Sequence, residues 1–354
     1  MKLKSILTLA LLSSATLSFA QEAAEAPLQI SGSVDTYFKY DFGKAANIPT
    51  SFASDHNSVS IGMIDLALKK TTGKASFVGE LSFGPRGQSQ SLVPAGTESF
   101  HIQNLYVNYA FTDKFTMTAG FMGTFIGYEV ISPAANFNYS TSYLFTNGPF
   151  QNAGIKATYA FSPKVSLMVG AFNDAWNTYT ANPGFGVSTL GAQLMVSPVE
   201  GWTAYLNVAT GYVSGTEFDL TTAYQVTEKF KLGLNVADWS AGMGAEDTGF
   251  TGAALYPQYA FSPAFALGLR GEYFKTKDNG GVLWGPIGGE SVVAATITAN
   301  IKAGGLTFIP EFRLDNGSAT DTMNGGPLPT TFVKSSGAAT KSATQFSLAA
   351  VYAF

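Results

Sequence analysis

Residue types that carry out catalysis or bind transition metals are scarce in this sequence. The chain has 354 residues, no cysteine and two histidines, His56 and His101, which lie in or beside segments that we predict as loops. Two distant imidazoles without a thiolate cannot form a transition-metal shell unaided, and the Ile-Gln-Asn that follows His101 offers no adjacent serine for nucleophilic catalysis. Residues 315–321 have oxygen ligands at short spacing but lack the closing glutamate of a calcium loop. We therefore predict no catalytic residue, no metal site and no cofactor.

The charged side chains instead follow a period of two residues. Within residues 28–42, Asp35, Lys39 and Asp41 share one parity, while Val34 and Phe38 share the other. Burial of such charges in a dry core is costly, whereas a water-filled interior with the apolar parity facing lipid removes that cost. The same inward parity collects the other predicted lumen-facing charges: Glu80, Lys156, Glu217, Asp219, Lys231, Arg270, Glu272, Lys302, Glu311, Arg313 and Asp315.

Two interpretations of these charges remain open. They line a hydrated lumen that admits small polar solutes, or they pair with one another and only brace the wall. Because neither sign dominates, the sequence predicts no strong ion selectivity.

The segments that carry this alternation are joined by recurring short turns. Residues 109–115, 159–165, 224–230 and 259–265 share a Tyr-x-(Phe/Val) start and a short polar turn, which is typical of β-hairpins. Seven short turns that alternate with longer connections predict sixteen strands. The fold class is therefore all-β: a single transmembrane antiparallel up-and-down barrel with short periplasmic turns and long extracellular loops. In the second strand the apolar parity switches near Met63, which predicts a β-bulge.

The first residues have the features of an export signal. Lys2 and Lys4 precede an apolar stretch at residues 6–17, and Ser18-Phe19-Ala20 forms a cleavage site, so we predict a signal peptide at residues 1–20. A short periplasmic leader at residues 21–27 and a barrel at residues 28–354 would follow. Cleavage would change the formal charge from −4 to −6 by removing two lysines, which argues against nucleic acid as a partner.

Export and the barrel pattern together predict the outer membrane of a Gram-negative bacterium, with its lipid as a partner. A secreted or periplasmic all-β domain is the alternative that the pattern leaves open.

The last predicted strand, residues 344–354, ends on an aromatic residue. Phe346, Tyr352 and Phe354 share its apolar parity, and a barrel needs such a strand to pair with the first one and leave no open edge. The ending resembles the aromatic-terminated strand by which outer-membrane proteins are recognised, which implies the barrel-assembly machinery as a partner during insertion.

The connection at residues 126–150 differs from an ordinary surface loop. It has one formal charge, Glu129, among many aromatic, amide and hydroxyl side chains. We predict that it folds into the lumen and narrows it, with Tyr128, Glu129, Asn136, Asn138 and Tyr139 at the constriction. Aromatic rings beside amides would suit uncharged polar solutes such as sugars or peptides. The alternative is a structured cap packed on the outer rim.

Several short motifs in this region carry a family resemblance. Gly127-Tyr-Glu129, Asn138-Tyr-Ser140, Ser142-Tyr-Leu-Phe145, Gly148-Pro-Phe150 and Phe172-Asn-Asp174 resemble the central block of the OmpL-like β-barrel porin family. The resemblance implies an outer-membrane channel of the porin type without a cofactor or catalytic residues. It does not indicate a solute.

We therefore predict a porin, not an enzyme, that forms a water-filled channel for passive diffusion of small hydrophilic solutes. The seven residues predicted between the cleavage site and the first strand leave no room for the plug domain of an energised transporter. The alternative is a structural or adhesive barrel with a blocked lumen and ligand-binding extracellular loops. A homotrimer is one option, since porins of this strand number often trimerise, although no loop marks a subunit contact.

Overall fold

The computed structural model describes residues 26–48, 52–88, 100–318, 322–323, 326–327 and 332–354. The predicted signal peptide and most of the predicted leader lie outside the described residues. The strands are β1 (Gln29–Asp41), β2 (Ser58–Thr72), β3 (Ala75–Phe83), β4 (Phe100–Ala110), β5 (Phe115–Gly123), β6 (Gln151–Ser162), β7 (Val165–Asn173), β8 (Val187–Val196), β9 (Trp202–Gly211), β10 (Gly215–Gln225), β11 (Phe230–Ser240), β12 (Gly249–Ser262), β13 (Phe265–Thr276), β14 (Ser291–Ala303), β15 (Leu306–Gly317), β16 (Thr322–Met323), β17 (Gly326–Pro327), β18 (Phe332–Val333), β19 (Ala339–Thr340) and β20 (Ser342–Ala353).

Sixteen of these strands form one closed antiparallel barrel. Strands β1 to β15 pair in chain order, and β20 closes the ring by pairing with both β15 and β1. The short strands β16 to β19 form two small hairpins in the connection between β15 and β20. The predicted fold class and strand number are therefore confirmed, and closure leaves no barrel strand with unpaired edge amides.

Two short helices interrupt the connections between strands. Helix α1 (Pro85–Gln88) follows β3, and helix α2 (Tyr143–Asn147) lies between β5 and β6. Ser142 caps α2 by accepting a hydrogen bond from the Phe145 amide through its side chain. Within the described ranges, neither helix has the length and apolar character needed to cross a membrane.

The two-residue alternation of the sequence places one parity of side chains inside the barrel and the other on its outer surface. In β1, Asp35, Tyr37 and Lys39 are buried within the barrel, whereas Ile30 and Val34 are exposed on its outer surface. Aromatic residues also gather near the short turns on the outer surface. Three such turns carry edge-to-face ring pairs with centroids 4.8 to 5.0 Å apart: Tyr109 with Phe111, Tyr159 with Phe161, and Tyr259 with Phe261.

The predicted bulge in β2 is present and has a clear position. Val34 pairs with Ile64 and Thr36 pairs with Ile61, so Gly62 and Met63 both lie opposite Asp35. The extra residue switches the inward parity along β2, which is why Asp65 faces the interior and is buried.

Candidate functional site: the barrel interior

The connection between β5 and β6, which contains residues 126–150 and is called the segment below, makes hydrogen bonds with inward-facing side chains of β14 and β15. The amides of Tyr139 and Ser140 donate to the two carboxylate oxygens of Glu311, at 2.9 and 3.1 Å. The Thr298 hydroxyl also donates to Glu311, at 2.8 Å, and the Asn138 side-chain amide donates to Thr298 at 2.6 Å. Asn138 and Tyr139 are thus attached to one wall of the barrel.

The single charge of this connection is paired with a buried arginine of β13. Arg270 donates to the Glu129 carboxylate at 2.8 Å and to the Ser140 carbonyl oxygen at 2.6 Å. Glu129 also accepts from the Ser142 amide at 2.7 Å and from its hydroxyl at 3.0 Å. Both charges are removed from solvent, so their hydrogen bonds must satisfy them locally.

Helix α2 is held against the same wall by a second set of polar contacts. Arg313 forms a two-point contact with Asp315, at 2.8 and 2.9 Å, and donates to the Thr141 carbonyl oxygen at 2.8 Å. The Tyr143 hydroxyl donates to Asp315 at 2.8 Å. The Leu144 amide donates to Glu272, at 2.9 Å. These contacts hold helix α2 in place through both a backbone amide and a side-chain hydroxyl.

Asp35 of β1 also connects the segment to the wall. Its carboxylate accepts from the Tyr139 hydroxyl at 2.5 Å, from the Met63 amide at 2.8 Å and from Arg86 of α1 at 3.4 Å. The Arg86 guanidinium lies over the rings of Phe52 and Tyr139, 4.7 and 5.1 Å from their centroids. Tyr139 therefore links β1 and β15, the two strands that flank β20 in the barrel wall.

Tyr128 and Asn136 have different environments. Tyr128 stacks on Tyr256 of β12 with centroids 4.4 Å apart, and burial raises the pKa of Tyr128 to about 12, so its hydroxyl stays protonated at neutral pH. Asn136 bonds back to its own segment, accepting from the Val130 amide at 3.0 Å and donating to its carbonyl oxygen at 2.5 Å. Of the five residues predicted at a constriction, four contact the barrel wall and Asn136 stabilises the shape of the segment.

Inward-facing glycines make room for the large side chains of this connection. A β-carbon at Gly252 would come within 2.9 Å of Leu144, and one at Gly233 or Gly268 would overlap the side chains of Tyr128 or Phe137. Sequence reasoning missed these glycines, although a glycine on the inward parity of a strand was a usable signal for a close approach. It also missed Arg86, which lies in a connection that the alternation does not describe.

Burial divides the predicted lumen charges into two groups. Asp35, Lys39, Arg270, Glu272, Glu311 and Arg313 are buried, whereas Glu80 and Lys156 are half-buried. Every barrel strand contributes at least one buried residue on its inward parity, with the following one from each strand in order: Asp35, Asp65, Ser82, Gln103, Thr118, Asn152, Met168, Thr189, Asn207, Asp219, Asn235, Tyr256, Arg270, Thr298, Glu311 and Ser347. The interior therefore contains buried side chains around the whole circumference of the barrel.

Comparison with known proteins gives the family. The family model described as "Putative beta-barrel porin-2, OmpL-like" matches residues 27–354. The chain belongs to this porin family. No curated protein matches the chain in sequence.

Solved porin structures share the barrel. An anion-selective porin from Comamonas acidovorans superposes with a TM-score of 0.60 at 13% identity, over 93% of this chain and 99% of that chain. The trimer form of OmpT, an outer membrane protein of Vibrio cholerae, gives 0.57 at 12% identity, with coverage of 93% and 99%. A mutant porin from Rh. blastica gives 0.57 at 14% identity, with coverage of 93% and 100%. At these identities the likeness is one of fold.

The aromatic C-terminal end of this porin lies where β20 pairs with β1 and closes the barrel. Phe346 and Tyr352 point outward from β20, and Phe354 is exposed just beyond it. The Phe354 amide donates to the Gly32 carbonyl oxygen, and the Gly32 amide donates to the Phe354 carbonyl oxygen, both at 3.0 Å. The last residue thus extends the pairing with β1.

His56 and Asp315 both have hydrogen-bond partners, whereas residues 319–321 of the partial calcium-type loop lie outside the described residues. His56 accepts from the Asp41 amide at 2.9 Å, and the strand register pairs His101 with Ser82. The Asp315 carboxylate, where the partial calcium-type loop would begin, is engaged by Arg313 and Tyr143. No group of three or more potential metal ligands occurs in the part of the chain that the structure describes.

Proposed function

We propose that this protein is an outer-membrane channel for passive diffusion of small hydrophilic solutes, with residues 126–150 as its constriction. The observation that carries the proposal is the polar inward parity of a closed sixteen-stranded barrel, which toward the short turns is half-exposed to water. Membership of the porin family supports the same function. We propose no catalytic residue and no energy input, so solutes would follow their concentration gradient.

Selection in this channel would come from size and from weak contacts with the segment. Tyr128, Glu129, Asn138 and Tyr139 would border the narrowest part, since each is fixed to the wall by the contacts described above. Asn136 would act by fixing the fold of the segment through Val130. A rigid constriction has a defined size limit because its side chains cannot move aside.

A structural or adhesive barrel with a blocked lumen is the second candidate. It is favoured by the burial of at least one inward-facing side chain on every barrel strand. In this case the extracellular connections would bind a partner, and the segment would be a permanent plug.

The remaining features of the proposal concern export and assembly. We propose that residues 1–20 are cleaved on export, and that Phe346, Tyr352 and Phe354 are read by the barrel-assembly machinery. We also propose a homotrimer, the form named for OmpT of Vibrio cholerae. Size-exclusion chromatography with light scattering in detergent tests the trimer, and a monomer mass would reject it.

Single-channel recording separates the two candidates. The wild type and a variant lacking residues 132–145 are reconstituted into planar bilayers, with detergent alone as the blank. For a channel with this constriction, the wild type conducts and the deletion variant conducts more. A silent wild type with a conducting deletion variant supports the blocked barrel. Equal conductance in both proteins would reject residues 126–150 as the constriction.

A further inference from the structure

The inward-facing charges of the barrel are separated along its axis. At the level of the segment, the charged side chains are buried. Three arginines there form ion pairs with carboxylates at 2.8 to 3.4 Å: Arg86 with Asp35, Arg270 with Glu129, and Arg313 with Asp315. The charges of these pairs largely cancel. The further carboxylates at this level, Glu217, Asp219, Glu272 and Glu311, form no ion pair among the described residues, but they are only 2 to 4% exposed and are thus withdrawn from the water of the lumen.

Toward the short turns, the inward parity carries lysines without carboxylates beside them. Lys69 and Lys302 lie near the ends of β2 and β14, and Lys231 lies near the start of β11. Lys156 lies at the middle of β6, at the border of this half of the lumen. Their partners in the neighbouring strands are uncharged: Gln29 and Val78 for Lys69, Thr118 and Gly170 for Lys156, Gln225 and Gln258 for Lys231, and Thr307 for Lys302.

These four lysines have no acidic partner among the described residues. Lys302 is exposed and the other three are half-buried, and none forms an ion pair within the described ranges. The carboxylate at a comparable level is Glu80, which accepts from the side-chain amides of Gln103 and Asn104 at 3.0 and 2.5 Å. This part of the lumen therefore has a net positive charge.

We propose that the turn-side half of the lumen, marked by Lys69, Lys156, Lys231 and Lys302, makes the channel prefer anions, so that small anionic solutes are its favoured substrates. This inference rests on the proposed channel function and refines the expectation of uncharged solutes. Unpaired charges on a low-dielectric wall concentrate ions of opposite sign. The Debye length is about 10 Å at 0.1 M salt and about 3 Å at 1 M, so the preference should weaken as salt rises.

The test is the zero-current voltage of the channel between KCl solutions of unequal concentration. The wild type is compared with the double variant Lys156→Glu/Lys231→Glu and with Lys302→Glu, whose exposed position makes folding insensitive to the change. Lys114→Glu is the matched control, because Lys114 lies in the exposed turn between β4 and β5 and makes the same change of charge.

The expected wild-type voltage has the sign of chloride preference, and its magnitude falls at higher salt. The double variant should reverse the sign, Lys302→Glu should reduce the voltage, and Lys114→Glu should leave it unchanged. A conducting wild type that is unselective or prefers potassium overturns this inference and leaves the channel function intact, as does an equal shift in the control. A wild type without any current overturns the channel function and the inference together.

Discussion

At the scale of single residues, the interior is built from polar groups that depend on one another. Arg270 and Glu129 are both buried, and each has further hydrogen bonds to the segment between β5 and β6. Breaking a buried pair by removing one partner leaves an uncompensated charge, which costs far more than losing an exposed pair. Such residues should therefore be sensitive to substitution.

Arg270→Met should destabilise the protein by about 3 to 5 kcal/mol, because it leaves Glu129 buried without its cation. Urea unfolding in detergent, followed by tryptophan fluorescence, measures this loss. Lys277→Met is the control, since the Lys277–Asp238 pair is partly exposed and should be worth about 0 to 1 kcal/mol. The double variant Arg270→Met/Glu129→Gln should recover part of the loss. Equal losses of stability in Arg270→Met and Lys277→Met would contradict the prediction that the buried pair is the more sensitive one.

Gly268→Ala should disturb the segment, because a β-carbon there would overlap the ring of Phe137. We expect a loss of about 1 to 3 kcal/mol from overpacking and a changed conductance. Gly271→Ala on the same strand is the matched control, since a β-carbon there meets nothing within 4 Å. If the two variants unfold at the same urea concentration, the absence of a side chain at Gly268 is not needed to accommodate the segment.

At the scale of elements, β20 has a double role. It pairs with β15 on one side and with β1 on the other, so the barrel is closed only when this strand is in place. In a bilayer an unclosed edge leaves backbone groups without hydrogen bonds, which costs several kcal/mol for each group. The residues at its end can therefore affect both recognition and closure.

Phe354→Ala should lower the amount of folded protein in the outer membrane several-fold, because it removes the terminal aromatic of the proposed insertion signal. Immunoblotting of membrane fractions measures this amount. The control is Phe312→Ala in β15, another outward phenylalanine, with 42% exposure against 53% for Phe354. An equal decrease in both variants would mean that only apolar surface is sensed, and normal levels in Phe354→Ala would reject the signal.

At the scale of the whole molecule, the barrel gives the protein two distinct ends. The short turns lie at one end and most of the longer connections lie at the other, as expected for an up-and-down barrel with an even number of strands. In the outer membrane, short turns face the periplasm and long connections face the exterior.

Cysteine labelling tests this orientation without background, because the chain contains no cysteine. Asn279→Cys lies in the connection after β13, and Lys114→Cys lies in the short turn after β4. A membrane-impermeant maleimide should label Asn279→Cys on intact cells and Lys114→Cys only after lysis. The reverse labelling pattern would show that the barrel has the opposite orientation in the membrane.

The sequence by itself determined the barrel and the inward placement of its charges. The reason is local: the two-residue period assigns each side chain to a face, and short polar turns separate successive strands. The parity switch at Met63 even located the bulge, because a bulge is the only local way to keep Ile61 and Ile64 on the same face. The family motifs around residues 127–174 agreed with these assignments.

Only the tertiary structure decided which charges meet. Glu129 and Arg270 are 141 residues apart, and Tyr139 and Asp35 are 104 apart, so no local period links them. Strand order and register bring the lysines of β2, β11 and β14 into one end of the lumen and the paired arginines into its middle. The amino-acid sequence shows a balance of charge, but the distribution of that charge depends on the height of each residue in the closed barrel.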